Sequence, residues 1–298
     1  MSHQAIATPA LLPLPRRVLK HPRLMHYHRL IVLVLAVNAA VVLHHLGRGD
    51  WALADGSALS ALSDLALLNL AVAILIRQPW VLNALFALAG RAPRGWPLRL
   101  RWAISKVAHV GGLHVGAALA GTLAFLAFTW VAVVARSRDA ASVSVLTLAL
   151  TGAIAVIVVV IVVCAAPAVR SRAHDRFEMT HRFGGWSAIA LLWALSVELA
   201  VSGPGAGAAL PALASSWPVW LVLGMTAAIA APWLRLRRVS VTVERPSAHA
   251  AIVSFDYGVS PAVASAVGIS RSPLGQWHSF ATVRSPARAP TRARAGRR

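Results

Sequence analysis

The sequence predicts an all-α membrane bundle of about six transmembrane helices, followed by a short, partial β-barrel tail. Three observations predict it. The chain is 58% hydrophobic and only 13% charged, where a soluble domain carries about 25% charged residues. Six apolar stretches each approach the roughly 20 residues that a helix needs to cross a bilayer. After Leu234 the pattern changes: Val239, Val241 and Val243 alternate with Ser240, Thr242 and Glu244, the period of two that marks a strand.

The elements follow in order. Residues 1–29 form a basic segment with Arg16, Arg17, Lys20, Arg23 and Arg29. No small-residue cleavage site ends the first apolar run, so it reads as an uncleaved helix and not a signal peptide. The membrane domain covers 30–234, with spans at 30–46, 58–76, 109–135, 142–169, 185–201 and 217–234. An amphipathic lead-in from Trp102 precedes the third span. The run 79–89 is apolar but too short to cross, and reads as interfacial or re-entrant. Ile154 to Val163 is almost entirely β-branched, a strand preference in water. In lipid so long a run must satisfy its own backbone, so helix wins. Residues 235–283 form the partial β domain, with strands expected at 239–244, 249–255, 262–269 and 277–283. Residues 284–298 are Arg, Ala and Pro with little to bury and read as a disordered basic tail.

Charge orients the stack. The net charge is +20, and the basic residues collect in alternate loops. Arg77, Arg91, Arg94, Arg99, Arg101 and Lys106 follow the second span, Arg170, Arg172, Arg176 and Arg182 the fourth, and Arg235, Arg237 and Arg238 the sixth. The other loops pair Arg48 with Asp50 and Asp55, and Arg136 and Arg138 with Asp139. The positive-inside rule therefore expects both termini in the cytoplasm, in a multi-pass protein of the plasma membrane. The expected partner of the positive charge is anionic lipid. Nucleic acid is not expected, because no isolated basic domain exists. A lone cysteine, Cys164, excludes an intrachain disulfide or a cysteine metal site.

Histidines carry the main chemical signal. His109 and His114 lie in a segment with Gly111, Gly112 and Gly116, and glycines there admit something bulky against the backbone. Five residues apart, the two rings point about 140° apart on a helix and cannot grip one metal together. In a helical reading His174, Glu178 and His181 share one face, which suits zinc or iron or a haem with axial histidines. The alternation of spans puts both clusters at one membrane side, so a ligand from the third helix can meet one from the fifth. His44 with His45, and His26 with His28, read as interfacial. In the tail, Arg271 and Ser272 suit a phosphate, and Trp277, His278 and Phe280 suit a flat ring system. An aromatic strand pair of a small barrel has the same letters, and no G-x-G-x-x-G loop follows.

Three segments resemble a known family: His109-Val-Gly-Gly-Leu-His114; Phe177-Glu178-x-x-His181-Arg182-Phe183-x-Gly185-Trp186; and Phe255-Asp256-Tyr257-Gly258 through Trp277-His278-Ser279-Phe280. They resemble the ferric-reductase-like transmembrane flavoproteins, most closely the TmpA-like integral membrane proteins and the membrane regions attached to some peptide-synthetase-like reductases. The last segment is similar to the His-Pro-Phe-Ser/Thr flavin-binding strand of NADPH oxidases and ferric reductases. The resemblance implies a six-helix membrane domain, a flavin-domain-like β tail and electron flow from NADPH through FAD and haem to an acceptor. It implies Trp277, His278, Ser279 and Phe280, with Arg271, at FAD. It implies His114 and His181, with His109 and His174 as further candidates, at haem b. The chain departs from the family in lacking paired histidines about thirteen residues apart, so it supports one haem at most. The nicotinamide lobe is also missing, which implies a separate nicotinamide-binding partner, a truncated chain or lost redox function. Two other readings stay open at this level: a non-catalytic membrane scaffold or anchor, and a metal transporter using the His174, Glu178, His181 face.

Overall fold

A computed structural model of the chain describes residues 13–14, 21, 24–52, 56–202, 209–259 and 265–282, with only the backbone of Ala266 and Ala281. The tail 284–298 and most of the basic segment 1–29 lie outside the described residues.

Six helices of 19 to 29 residues are long and apolar enough to span a membrane: α1 (His26–Arg48), α2 (Ser57–Leu75), α3 (Gly111–Arg138), α4 (Val145–Ala165), α5 (His174–Ser202) and α6 (Trp217–Ala230), the last continued by a 3-10 turn at Trp233–Arg235. Their outward faces are apolar. α1 buries no residue at all, and Val32, Leu33, Val37 and Leu43 on it stay exposed. In water that surface would be a large unfavourable patch; in hydrocarbon it is the solvated face. The protein is a multi-pass membrane protein.

The inner faces meet in one core built from Leu67, Phe125, Phe128, Ile154, Leu192, Val222 and Met225. α3 packs against α1, α2 and α4, α5 lies on α4, and α6 bridges α2 and α5. The closest approach is between α3 and α1. A Cβ on Gly112 would collide with the Tyr27 carbonyl oxygen, and one on Gly116 would stand 2.9 Å from Val34 Cβ and 3.1 Å from Ile31 Cα. Small residues four apart let membrane helices touch backbone to backbone. The glycines beside the histidines were expected to admit something bulky; what they admit is α1. Polar groups lock the bundle as well. Asn38 and Asn69 exchange amide hydrogen bonds of 3.1 and 2.6 Å between α1 and α2, and Trp193 Nε1 donates to Thr226 Oγ1 at 2.9 Å between α5 and α6. Such bonds contribute roughly 1 kcal/mol each in a membrane.

Several boundaries shift by a few residues from expectation, and two of the shifts have a plain physical cause. α4 ends at Ala165 instead of 169, because Pro167 removes a donor and forces Ala166 to an extended ψ of 137°. α5 begins at His174 instead of 185. Gly184 and Gly185 do not stop it, and Ile161 of α4 lies 3.1 Å from where a Gly184 Cβ would be. The run at 79–89 is a helix, Pro79–Gly90, and the amphipathic lead-in is the helix Leu98–Ile104 with a 3-10 turn at Ser105–His109.

The described residues from Pro232 to Thr282 form a second compact unit. β1 (Val241–Ser247) and β2 (Ala250–Phe255) make one antiparallel hairpin, with Val243 opposite Val253. β3 (Ala266–Ile269) and β4 (His278–Ala281) make another, with Val267 opposite Phe280. Among the described residues the two hairpins are separate sheets and close no barrel.

Candidate functional site

The start of α3 and the first turns of α5 bring two histidines together. His114 and His181 face each other with ring centroids 6.0 Å apart and planes at 69°. α5 has 29 residues, about 43 Å at 1.5 Å per residue, so its first turns extend past a hydrocarbon core of about 30 Å. His181 therefore sits toward one end of the bundle, as His114 does.

The nitrogens of the pair are not equivalent. His114 Nδ1 lies 2.8 Å from the carbonyl oxygen of Ala73 on α2. A carbonyl only accepts, so Nδ1 carries the proton, and the neutral ring presents its lone pair at Nε2. A metal-ligating imidazole is commonly held this way, by a hydrogen bond from its other nitrogen. His181 Nδ1 is buried with no hydrogen-bond partner among the described residues. A buried nitrogen of this kind costs about 1–3 kcal/mol. By their chemistry the two imidazoles would together suit holding a metal ion or a haem iron. The charge of Arg77 acts on both rings.

The other expected residues go elsewhere. His109 turns to His26, with centroids 5.8 Å apart. His174 is exposed and packs on Phe177, which also touches His181 and lies under the Arg170 guanidinium. Glu178 forms an ion pair with Arg182. The His174, Glu178, His181 face is thus helical as expected but does not converge. Its carboxylate is taken by an arginine, and no group of three ligating side chains among the described residues has metal-holding geometry. A metal transporter built on this face is left without three converging ligands among the described residues. At the opposite end, His45 stacks on Trp51 at 5.3 Å and bonds Asp50 at 3.2 Å. That hydrogen bond, aided by Arg48 and opposed by some desolvation, holds the Asp50 carboxyl below its ordinary value.

The tail residues are placed by the β3–β4 ladder, where His278 pairs with Ile269, Ser279 with Gly268 and Phe280 with Val267. His278 and Phe280 share one face and Ser279 takes the other. All three are exposed, as is Arg271. Trp277 is already engaged: its Nε1 donates to Pro273 O at 3.0 Å, and its ring packs over Gly268 and faces Trp233. The Phe255–Gly258 motif is a corner. Gly258 has φ 76°, its N–H donates to Asp256 Oδ1, and Arg237 lies over the Tyr257 ring and donates to its carbonyl at 2.9 Å.

Two features escaped the sequence reading. The Ala73 carbonyl that orients His114 has no sequence signal, since any residue supplies one. Asp64 had a signal, a carboxylate inside an apolar span.

Fold and site together define a polytopic membrane protein with a half-buried histidine pair joining two spans. The chain is similar to two adenylate-forming reductases of Coprinopsis cinerea, 35% identical over 273 residues to one and 34% over 274 to the other, with 91% of this chain covered in each case. It spans 26% of the length of each of those proteins. No protein-family model and no solved structure matches it.

Proposed function

We propose that this chain is a membrane oxidoreductase component of ferric-reductase-like type, passing electrons from a cytoplasmic reductant through FAD and one b-type haem to an acceptor, with both termini cytoplasmic. The observation that carries the reading is the histidine pair: one ring is oriented by a backbone carbonyl, and the other has a buried nitrogen without a partner among the described residues. Structural histidines have no reason to leave that nitrogen unsatisfied. A haem, when bound, supplies a one-electron carrier inside the membrane. The protein's part is to hold the two imidazoles, keep water away and set the local charge with Arg77. The name of the two relatives supports a reductase role. His278, Phe280 and Ser279, with Arg271, are the residues proposed at FAD, and NADPH oxidation belongs to a separate nicotinamide-binding lobe or partner.

The test is spectroscopic. Full-length protein purified in mild detergent, supplemented with haem and FAD, should give Soret and α bands on dithionite reduction. His114→Ala and His181→Ala should each abolish them. Unchanged bands in both variants, or a featureless spectrum in the wild type, would overturn the assignment.

A second reading, a non-catalytic membrane anchor, is favoured by one observation. The aromatic most suited to stacking on a flavin, Trp277, is spent inside its own unit. Flavin retained by the wild type and lost in His278→Ala would count against it.

A further inference from the structure

At the end of the bundle away from the histidine pair, the starts of α2, α4 and α6 and the later turns of α3 and α5 line a half-open cavity of about 580 Å³. That lies within the range of small-molecule sites, about 300–1,000 Å³, which are mostly apolar with a few placed polar groups. Phe125 and Phe128, with ring centroids 5.7 Å apart, form an aromatic wall. Ser60, Ser63, Thr147 and Ser196 supply hydroxyls, and Asp64 is the one charged residue among those lining the space. Asp64 has no hydrogen bond or ion pair among the described residues. A carboxylate inside a membrane span is costly, and such residues by default mark a function.

Among the described residues the other charged groups at this end are engaged or exposed. Arg48 is held 3.0 Å from Asp50. Arg136 donates to the carbonyls of Ala140 and Val143 at 2.7 and 2.6 Å. Glu198 accepts from Ser144 Oγ at 2.7 Å, Asp139 accepts from the Ala141 amide, and Arg138 is exposed. The start of α4, which would otherwise attract an anion, is capped by Ser144 Oγ, which accepts from the Thr147 amide. A chain of net charge +20 therefore keeps, among the described residues, a carboxyl without a partner in this cavity. An anion would be repelled. A hard metal ion needs six or more oxygen ligands for calcium or a near-ideal octahedron for magnesium, and one carboxylate with scattered hydroxyls does not make either.

We propose that this cavity binds a small organic amine, its ammonium on Asp64 and the adjacent serine hydroxyls, its aromatic or aliphatic body against Phe125 and Phe128. The inference does not depend on the redox reading.

The probe is 2-phenylethylamine, titrated by calorimetry into the full chain in detergent, with 3-phenylpropan-1-ol as the uncharged comparison. Saturable binding of the amine is expected, with the alcohol at least about tenfold weaker, since a charge-assisted bond is lost. Asp64→Asn should weaken amine binding by a similar factor, and Asp64→Glu, which keeps the charge, should retain most of it. Equal binding of the alcohol, undiminished binding by Asp64→Asn, loss in both variants, or no saturable binding would each overturn the proposal.

Discussion

The histidine pair of the bundle and the aromatic hairpin of the tail are built from similar residue types, yet the structure treats them differently. His114 and His181 join three helices, through the Ala73 carbonyl on α2 and the ring contact between α3 and α5, and His181 keeps a buried nitrogen without a partner among the described residues. His278 and Phe280 stand on a four-residue strand of a two-stranded sheet, with Phe280 47% exposed. Burial makes the difference. In a low-dielectric interior an unsatisfied nitrogen is costly and its persistence is informative, whereas an exposed imidazole is satisfied by water and carries little information. The case for a ligand is thus stronger at the pair than at the hairpin.

The largest effect should come from the packing that positions the pair. Gly112→Val would drive side-chain atoms into the Tyr27 carbonyl of α1, and backbone cannot move aside as a side chain can. A loss of about 3 kcal/mol is expected, read by SDS-induced unfolding in mixed micelles. The same change at Gly152, where nothing lies within 4 Å, should cost about 1 kcal/mol or less. Equal losses would show that the α1–α3 contact does not hold His114 in place.

A smaller effect tests the asymmetry within the pair. His181→Phe keeps an aromatic ring and removes the unpartnered nitrogen, so it should stabilise the ligand-free bundle by about 1 kcal/mol. His114→Phe loses the bond to Ala73 and should destabilise it by about 1 kcal/mol. If both variants shift the unfolding midpoint in the same direction, the two nitrogens are not distinguished as argued.

The smallest effect belongs to the hairpin. Phe280→Ala should change the stability of the purified chain by less than about 0.5 kcal/mol. A loss well above that would mean that the β3–β4 face is covered in solution, and would bring the hairpin nearer to the pair in significance.

Much of this was legible in the sequence. Hydropathy marked all six spans, because a helix in lipid needs a long apolar run wherever it packs. The alternation at Val239 to Glu244 marked the hairpin region through the period of two. Boundaries were less legible. The fifth span was expected from 185, but α5 already runs from His174 through the double glycine, where Ile161 of α4 packs against Gly184. The meeting of His114 and His181 was inferred from topology alone. The face containing Glu178 was legible as a face, but the carboxylate's choice of Arg182 over a metal was not.

What the sequence by itself determined is the solvent of each segment and its local period: six helices for lipid, then short strands. Those properties are written residue by residue in hydropathy and spacing. Only the tertiary structure decided that Gly112 and Gly116 receive α1 rather than a ligand, that His109 turns to His26, and that Asp64 faces a cavity without a counter-charge among the described residues. Each of those outcomes depends on which neighbouring helix supplies the opposing atom, and no local pattern encodes the neighbour.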